Sequence, residues 1–209
     1  MIYIVRHGQT EANSSHSMQG RSDFPLNGKG AEQAEAVAGW MRAQGISFDA
    51  VYSSPLIRAV QTAEIVAGEG PGNMPEKGSA ETAGKSPAIV RDERLIEMDY
   101  GPYEGTDLNH LPDELLSFFG DFVHRSAPEG MEQLSSVVAR AASFLDDLRA
   151  VSGNILISTH AIAMKGLLEA LTPGSNGSYW SKYIGNCAIY VAENDGGRIG
   201  VPREFDPNT

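Results

Sequence analysis

The chain has 209 residues, of which 41% are hydrophobic and 21% charged, as in a typical globular protein. Its 16 basic and 27 acidic residues give a formal net charge of −11, which argues against general binding to nucleic acid or to an anionic membrane. No segment approaches the roughly 20 apolar residues of a membrane-spanning helix, and no signal peptide is recognised, so we expect a soluble, cytoplasmic protein.

Five short runs rich in β-branched and aromatic residues predict strands. They lie at residues 2–5, 49–53, 88–91, 154–159 and 188–192. Helical patterns separate the strands, and this alternation favours a mostly parallel sheet covered on both faces. We therefore expect an α/β fold, a three-layer αβα sandwich, in a single domain over the whole chain.

The first helix is predicted over residues 28–44, where apolar residues recur at helical spacing. The second is expected to begin with Ser54 as its N-cap and Pro55 in its first turn, and to end at Gly68. Residues 69–87 are rich in Gly, Pro and small polar residues and predict a long flexible loop.

The irregular region at about residues 105–130 contains LPDELLSFFGDFV, which predicts a short helix that lies over the strand ends as a lid segment. Its apolar residues are Leu111, Leu115, Leu116, Phe118, Phe119 and Phe122. Helical spacing is typical of packing residues, but some of them could instead face a pocket. A long helix is expected over residues 131–151. Cys187, the single cysteine, is interpreted as a small buried hydrophobic residue.

Cations and imidazoles follow three of the predicted strands. The first strand leads into Arg6 and His7, the second into a helix with Arg58 in its first turn, and the fourth into His160. Because ligands of open α/β sheets bind at the carboxyl ends of the strands, we expect these four groups to converge. Guanidinium groups and helix N-termini bind phosphate oxygens, so the cluster predicts a site for a tetrahedral dianion.

Any one of these residues alone has an ordinary structural interpretation, and only their coincidence indicates a site. The other histidines, His16, His110 and His124, lie in loops or polar segments. We expect no catalytic role for them.

The segment VRHGQTEAN resembles the RHG-x-T-x-x-N signature of the histidine phosphatase superfamily, in its phosphoglycerate-mutase-like branch. The similarity continues in the family's order through MQGRSDFPLNGKGAEQAEAVA, YSSPLIRAVQTAEIV, RLIEMDYGPYEG and LISTHA. It implies a phosphoglycerate-mutase-like fold and a phosphomonoester hydrolase that acts on a small phosphorylated metabolite through a phosphohistidine. The resemblance implies no metal and no other cofactor.

The resemblance also implies a role for each matched residue. His7 is the implied nucleophile, with one ring nitrogen held by a backbone carbonyl, and Arg6, Arg58 and His160 hold the phosphoryl oxygens. Glu97 is the implied proton donor, because Ala161 follows His160 where the acid-phosphatase branch has a His-Asp pair. The implied substrate-binding residues are Asn13, Gln19, Gly20, Arg21, Tyr100 and Ala161.

Glu97 also has a structural interpretation, as a carboxylate paired with Arg6 or Arg58. Asp99 and Glu104 are weaker candidates for the proton donor, and we expect them to be structural.

Two other activities stay open, a cofactor-dependent phosphoglycerate mutase and a noncatalytic phospho-ligand binder. Tyr100 matches a mutase-like tyrosine, but Leu108 replaces an expected lysine and the lid segment offers only Arg125 as a full cation. With few cations to hold a carboxylate, water is the favoured phosphoryl acceptor. The expected partner is a small phosphomonoester rather than nucleic acid or membrane, and a homodimer is compatible with the sequence.

Overall fold

The structure, a computed structural model, describes residues 1–68, 87–195 and 197–205. The loop predicted for residues 69–87 therefore lies, except for its last residue, outside the described residues. The described strands are β1 (Ile2–Arg6), β2 (Ala50–Ser53), β3 (Ile89–Arg91), β4 (Ile155–Thr159), β5 (Ile189–Ala192) and β6 (Arg203–Phe205). They form one sheet in the order β3-β2-β4-β1-β5-β6. β1 to β4 pair in parallel, and β5 and β6 are antiparallel.

Helices cover both faces of this sheet. They are α1 (Glu11–Ser14), α2 (Gly28–Ala43), α3 (Ile57–Ala67), α4 (Asp113–Gly120), α5 (Leu134–Leu148) and α6 (Ala161–Leu171), with 3-10 turns at Glu93–Leu95 and Gly101–Tyr103. Within the described residues, no helix combines the length and the apolar character needed to cross a membrane.

β1 shows how the chain builds three layers. Its side chains alternate between the two faces of the sheet. Ile2 and Ile4 belong to a core cluster with residues of α5 and α6, whereas Tyr3 and Val5 belong to a second cluster with residues of α2 and α3. Both faces are therefore buried, and the predicted α/β sandwich is confirmed.

The lid segment has its own apolar cluster. Leu115 and Phe118 of α4 are buried together with Ile162 of α6 and Trp180, whereas Leu116 on the same helix is 54% exposed. The segment is thus packed onto the domain through one face of α4.

The helix starts differ from prediction in two places. α3 begins at Ile57 with Leu56 as its N-cap, so the prediction that Ser54 caps this helix is wrong. The Ser54 hydroxyl accepts from the Leu56 N–H at 3.3 Å within the preceding turn and bonds His160, which directly follows the neighbouring strand β4. α5 begins only at Leu134, because Gln133 bonds the backbone of Ala127 with its side chain.

Candidate active site

Strand register brings the predicted site residues together. β1 and β4 are parallel and Arg6 pairs with Thr159, so His7 and His160 leave the sheet side by side. The His7 backbone N–H donates to the Thr159 carbonyl at 2.9 Å, and the two imidazole centroids are 5.1 Å apart. The prediction that the two histidines share one sheet edge is confirmed.

The chain after His7 passes close to the start of α2, because the next residue is glycine. A Cβ at Gly8 would lie 2.3 Å from the carbonyl oxygen of Gly30, at the start of α2. The Gly8 N–H donates to the Thr62 hydroxyl of α3 at 3.1 Å. Close backbone packing of α2 and a hydrogen bond from α3 therefore fix the position of His7.

The hydrogen bonds of His7 define its tautomer. Its Nδ1 bonds the Gly8 carbonyl at 2.7 Å, and since a carbonyl only accepts, Nδ1 carries the proton. Burial holds the pKa of His7 well below 6.5, with repulsion from Arg6 and Arg58 as further causes. The ring is therefore neutral, with a lone pair on Nε2. This confirms the prediction that a backbone carbonyl holds one ring nitrogen.

Arg58 lies beside that lone pair. Its side chain is 1% exposed, and its Nε donates to His7 Nε2 at 3.3 Å. The other two guanidinium nitrogens donate to the carbonyls of Gly20 and Ser22 at 2.7 and 2.8 Å. Gly20 has φ +53°, and a Cβ there would collide with Glu104. Backbone carbonyls thus hold a buried guanidinium against the imidazole.

His160, the N-cap residue of α6, is oriented by Ser54. The Ser54 hydroxyl lies 2.7 Å from His160 Nε2, and it already accepts from the Leu56 N–H. Since His160 Nε2 is the only acceptor for the Ser54 hydroxyl among the described residues, we assign the hydroxyl proton to this bond, which places the His160 proton on Nδ1. Burial is the main cause of a His160 pKa well below 6.5, so this ring is also neutral.

Two buried side-chain nitrogens have no hydrogen-bond partner among the described residues, Arg6 Nε and His160 Nδ1. Buried polar atoms are nearly always paired, and an exception indicates a strained or functional position. Both belong to residues that the sequence assigns to anion binding. Arg6 Nε carries a proton, and so does His160 Nδ1 in the tautomer described above, so both are N–H donors. Such a pair suits an oxyanion ligand.

Glu97 lies in the same region, 6% exposed. One carboxylate oxygen accepts from the N–H groups of Met98 and Ala163 at 2.8 and 3.0 Å, and the other accepts from Ile162 at 3.2 Å. These bonds tie Glu97 to the N-terminus of α6 rather than to Arg6 or Arg58 as an ion pair. Burial lowers the pKa of Arg6 and the pKa of Arg58, and the negative charge of Glu97 partly offsets this lowering.

A cavity of about 410 Å³ connects these groups. The predicted site residues that line it are Arg6, His7, Asn13, Gln19, Gly20, Arg58, Glu97, Tyr100 and Ala161. His160 is fully buried beneath this surface. Arg21 is placed elsewhere, since its exposed side chain pairs with Asp99 at 3.3 Å and Glu132 at 3.4 Å. Asp99 and Glu104 hold backbone N–H groups, which agrees with their expected structural roles.

One wall of the cavity comes from the lid segment. Leu108, Leu111, Phe119 and Phe122, here called the apolar wall, line it. The hypothesis that some lid residues face a pocket therefore agrees with the structure. Leu115 and Phe118 pack into the core instead.

Several cavity residues were not predicted from the sequence, namely Lys165, Lys182, Tyr183 and Ile184. Helix periodicity could have found Lys165, which lies four residues after Ala161 on α6 and so on the same face. No local pattern marks residues 182–184. The carbonyl of Ile184 accepts a hydrogen bond from Arg6, which is distant in the sequence.

The residues without a predicted role lie apart from the cavity lining. His110 and His124 are exposed and bond Asp107 and Asp121 at 2.7 and 2.9 Å. Cys187 is buried, as predicted, and burial raises its pKa to about 12. Within residues 1–68, 87–195 and 197–205, no group of three or more His, Cys, Asp or Glu is placed to hold a metal ion.

Comparisons with known proteins agree with this geometry. The family model of the histidine phosphatase superfamily (branch 1) matches residues 2–206. An Escherichia coli protein named "Probable phosphoglycerate mutase GpmB" is 33% identical over 176 residues, covering 81% of this chain and 74% of that protein. Bacillus stearothermophilus YhfR has a similar structure, with TM-score 0.75, 28% identity and coverage of 96% of this chain and 94% of that one.

A third similar structure is that of phosphoserine phosphatase from Entamoeba histolytica in complex with 3-phosphoglyceric acid. Its TM-score is 0.73 at 25% identity, and the match covers 98% of this chain and 94% of that one. The predicted fold family is confirmed.

Proposed function

Because this chain belongs to the histidine phosphatase superfamily (branch 1), we propose that it hydrolyses a small phosphomonoester through a phosphohistidine at His7. The observation that carries this proposal is the neutral His7 with its Nε2 lone pair beside Arg58, together with the unpartnered Arg6 Nε and His160 Nδ1. A nucleophile and donors for phosphoryl oxygens thus lie at one sheet edge.

In the first step, His7 Nε2 attacks phosphorus, and the bond between phosphorus and the leaving oxygen breaks. Arg6, Arg58 and His160 donate hydrogen bonds to the phosphoryl oxygens, where negative charge is concentrated in the transition state. Backbone contacts and burial hold these donors in place, and Arg58 Nε exchanges its hydrogen bond to His7 Nε2 for one to a phosphoryl oxygen as the lone pair attacks.

The leaving oxygen needs a proton, and we propose Glu97, which lines the cavity, as the acid that donates it once the substrate is bound. In the second step, Glu97 takes a proton from water, the hydroxide attacks phosphorus, and the bond to Nε2 breaks. Phosphate leaves, His7 is neutral again and Glu97 is again protonated. The cycle is balanced without a metal ion, so we expect hydrolysis to persist in the presence of a chelator.

The apolar wall favours a leaving group with an apolar or aromatic part. Leu111, Phe119 and Phe122 offer apolar surface to that end of the substrate, and burial of apolar area contributes about 25 cal/mol per Å². We expect aryl phosphates to be hydrolysed better than phosphorylated sugars.

The second candidate is phosphoglycerate mutase, because the Escherichia coli relative carries that name and Tyr100 lines the cavity. A mutase holds its acceptor with several cations, whereas outside Arg6 and Arg58 the described lining offers only Lys165 and Lys182, of which Lys182 is paired with Glu204, beside the apolar wall. Hydrolysis is therefore the better-supported activity.

The proposal is tested with 4-nitrophenyl phosphate and with 3-phosphoglycerate as a phosphoryl acceptor, using wild type and His7→Ala. We expect wild-type hydrolysis, loss of at least about 10⁴-fold in His7→Ala, and phosphate release that added 3-phosphoglycerate does not suppress. Transfer to 3-phosphoglycerate in place of release favours the mutase. Binding of phosphate by folded wild type without turnover favours a noncatalytic binder, and equal activity of both proteins removes His7 from the mechanism.

A further inference from the structure

Lys165 is a buried cation in the same cavity that the proposed reaction does not use. It lies on α6, four residues beyond Ala161 and three beyond Ile162, and residues at this spacing share a helix face. All three line the cavity. Lys165 is 8% exposed, although a buried ammonium group is costly unless it is paired.

The partners of Lys165 among the described residues carry no negative charge. Its Nζ donates to the Trp180 carbonyl at 2.7 Å and lies 5.4 Å from the centroid of the Phe122 ring, in the apolar wall. An ammonium has three N–H donors, so two remain for a ligand. The group is held at the contact between α6 and the lid segment.

Lys182 is a useful contrast. It also lines the cavity, but its Nζ lies 3.2 Å from the Glu204 carboxylate and 5.8 Å from the centroid of the Tyr190 ring. Its charge is therefore balanced by a neighbour on β6. Lys165 forms no ion pair with a carboxylate among the described residues, and Glu97 acts on it only at longer range.

The proposed reaction gives Lys165 no anionic partner. A phosphoryl dianion balances the two charges of Arg6 and Arg58, and the Glu97 carboxylate accepts hydrogen bonds from the N–H groups of Met98, Ile162 and Ala163 rather than from Lys165. One positive charge remains at the side of the cavity formed by α6 and the apolar wall. A substrate with a single anionic group would leave it buried and unpaired.

We propose, resting on the proposed function, that Lys165 binds a second anionic group, a carboxylate or a phosphate, carried by the leaving group of the substrate. The apolar wall packs against the carbon skeleton between the two anions. The substrate class is then a small phosphomonoester with an apolar or aromatic body and an acidic substituent. Lys165 determines specificity by its charge.

The test compares phenyl phosphate with 3-carboxyphenyl phosphate and 3-(phosphonomethyl)phenyl phosphate, which add one carboxylate or one phosphonate. The proteins are wild type, Lys165→Met, Lys165→Arg as rescue and Lys182→Met as matched control. The measured quantity is the ratio of kcat/KM for an acidic substrate to that for phenyl phosphate. The probe with the larger ratio identifies the anion.

We expect wild type to favour at least one acidic substrate and Lys165→Met to lower that ratio about 10- to 100-fold, mainly through KM. Lys165→Arg restores most of it, and Lys182→Met leaves it unchanged. A wild-type ratio near one for both acidic substrates, or an unchanged ratio in Lys165→Met, overturns the proposal about Lys165. If phenyl phosphate is still hydrolysed in that case, the proposed function stands. Absence of all three activities in folded wild type overturns both.

A pH series of wild type with 3-carboxyphenyl phosphate covers the case in which Lys165→Met does not fold. Burial, with repulsion from Arg6, lowers the Lys165 pKa to about 8 although Glu97 opposes this. The charged or titratable groups that share the cavity are Arg6, His7, Arg58, Glu97, Tyr100, Lys182 and Tyr183. Because Lys165 loses its charge as the pH rises through about 8, we expect the ratio of kcat/KM for 3-carboxyphenyl phosphate to that for phenyl phosphate to fall over this range. A constant ratio from pH 7 to 9.5 contradicts the proposal.

Discussion

The strand-end cluster of Arg6, His7, Arg58 and His160 and the apolar wall of Leu108, Leu111, Phe119 and Phe122 border one cavity but are held differently. The cluster is fixed by strand register and by hydrogen bonds to backbone carbonyls. The wall is held by contacts among side chains, including edge-to-face and tilted pairs of aromatic rings. The comparison teaches that the proposed chemistry belongs to a sheet edge fixed by the backbone, whereas the proposed selection of the leaving group belongs to a segment held by side-chain packing.

Substitutions in the two regions should therefore have distinguishable effects. A change in the cluster should slow every phosphomonoester alike, because all of them share the phosphoryl group. A change in the wall should depend on the leaving group. The following predictions are ordered by the size of the expected effect.

After the loss of His7 itself, the largest effect is expected from Arg58→Met. It removes the guanidinium that lies 3.3 Å from His7 Nε2, and loss of one transition-state donor typically costs 10²- to 10³-fold in kcat. We expect about a 10³-fold loss with phenyl phosphate and with a phosphorylated sugar. Arg21→Met, which removes an exposed ion pair, is the control and should change kcat/KM less than threefold. A loss confined to one substrate would contradict the comparison.

The cluster should also make stability depend on pH. His7 and His160 have pKa values well below 6.5 in the folded chain, so below pH 6.5 the unfolded chain binds more protons and the free energy of unfolding falls as the pH falls. The slope approaches about 2.7 kcal/mol per pH unit for two such residues. Urea unfolding of wild type and His7→Gln between pH 4.5 and 7.5 measures it. The variant should show about half the slope, and an equal slope would exclude His7 as a contributor.

Ser54→Ala tests the orientation of His160. Without the hydroxyl 2.7 Å from Nε2, the ring loses the bond that places its proton on Nδ1. We expect kcat to fall about tenfold with little change in KM, and Ser54→Thr to recover part of it. Ser53→Ala, which removes a neighbouring buried hydroxyl that bonds a carbonyl, should leave kcat nearly unchanged. Equal losses in both alanine variants would indicate a general packing effect.

The smallest effect is expected from Phe119→Ala in the apolar wall. We expect KM for phenyl phosphate to rise about tenfold, because apolar contact area with the ring is lost, while kcat changes less than threefold. Leu116→Ala on the outer face of α4, where the side chain is largely exposed, is the matched control and should change neither. A fall in kcat as large as that of Arg58→Met would show that the two regions are not separate.

The cluster could be predicted because its signal is local. Arg6, His7 and His160 directly follow apolar strands, and parallel strands place such residues at one edge of the sheet. The start of α3 could not be predicted in the same way, because the Ser54 hydroxyl bonds a histidine 106 residues away. A capping preference is local, and this contact is not.

The other side of the cavity was less predictable. The spacing of the lid residues indicated a helix, but which of them face the cavity depends on how α4 packs against Trp180 and α6. Lys165 was missed because a lysine on a helix usually lies on a solvated face, and only the packing of the distant Trp180 and Phe122 buries it. Arg21 shows the reverse case, since it belongs to a matching segment but is held away from the cavity by Asp99.

The most direct test of the proposed mechanism is to trap the phosphorylated enzyme. Wild type and His7→Ala are mixed with a phosphomonoester carrying radioactive phosphate, quenched in alkali within milliseconds and digested for peptide mapping. The mechanism predicts an acid-labile, alkali-stable label on the peptide that contains His7, and no label in the variant. Hydrolysis by wild type with no label under single-turnover conditions, or with label on another residue, would contradict it.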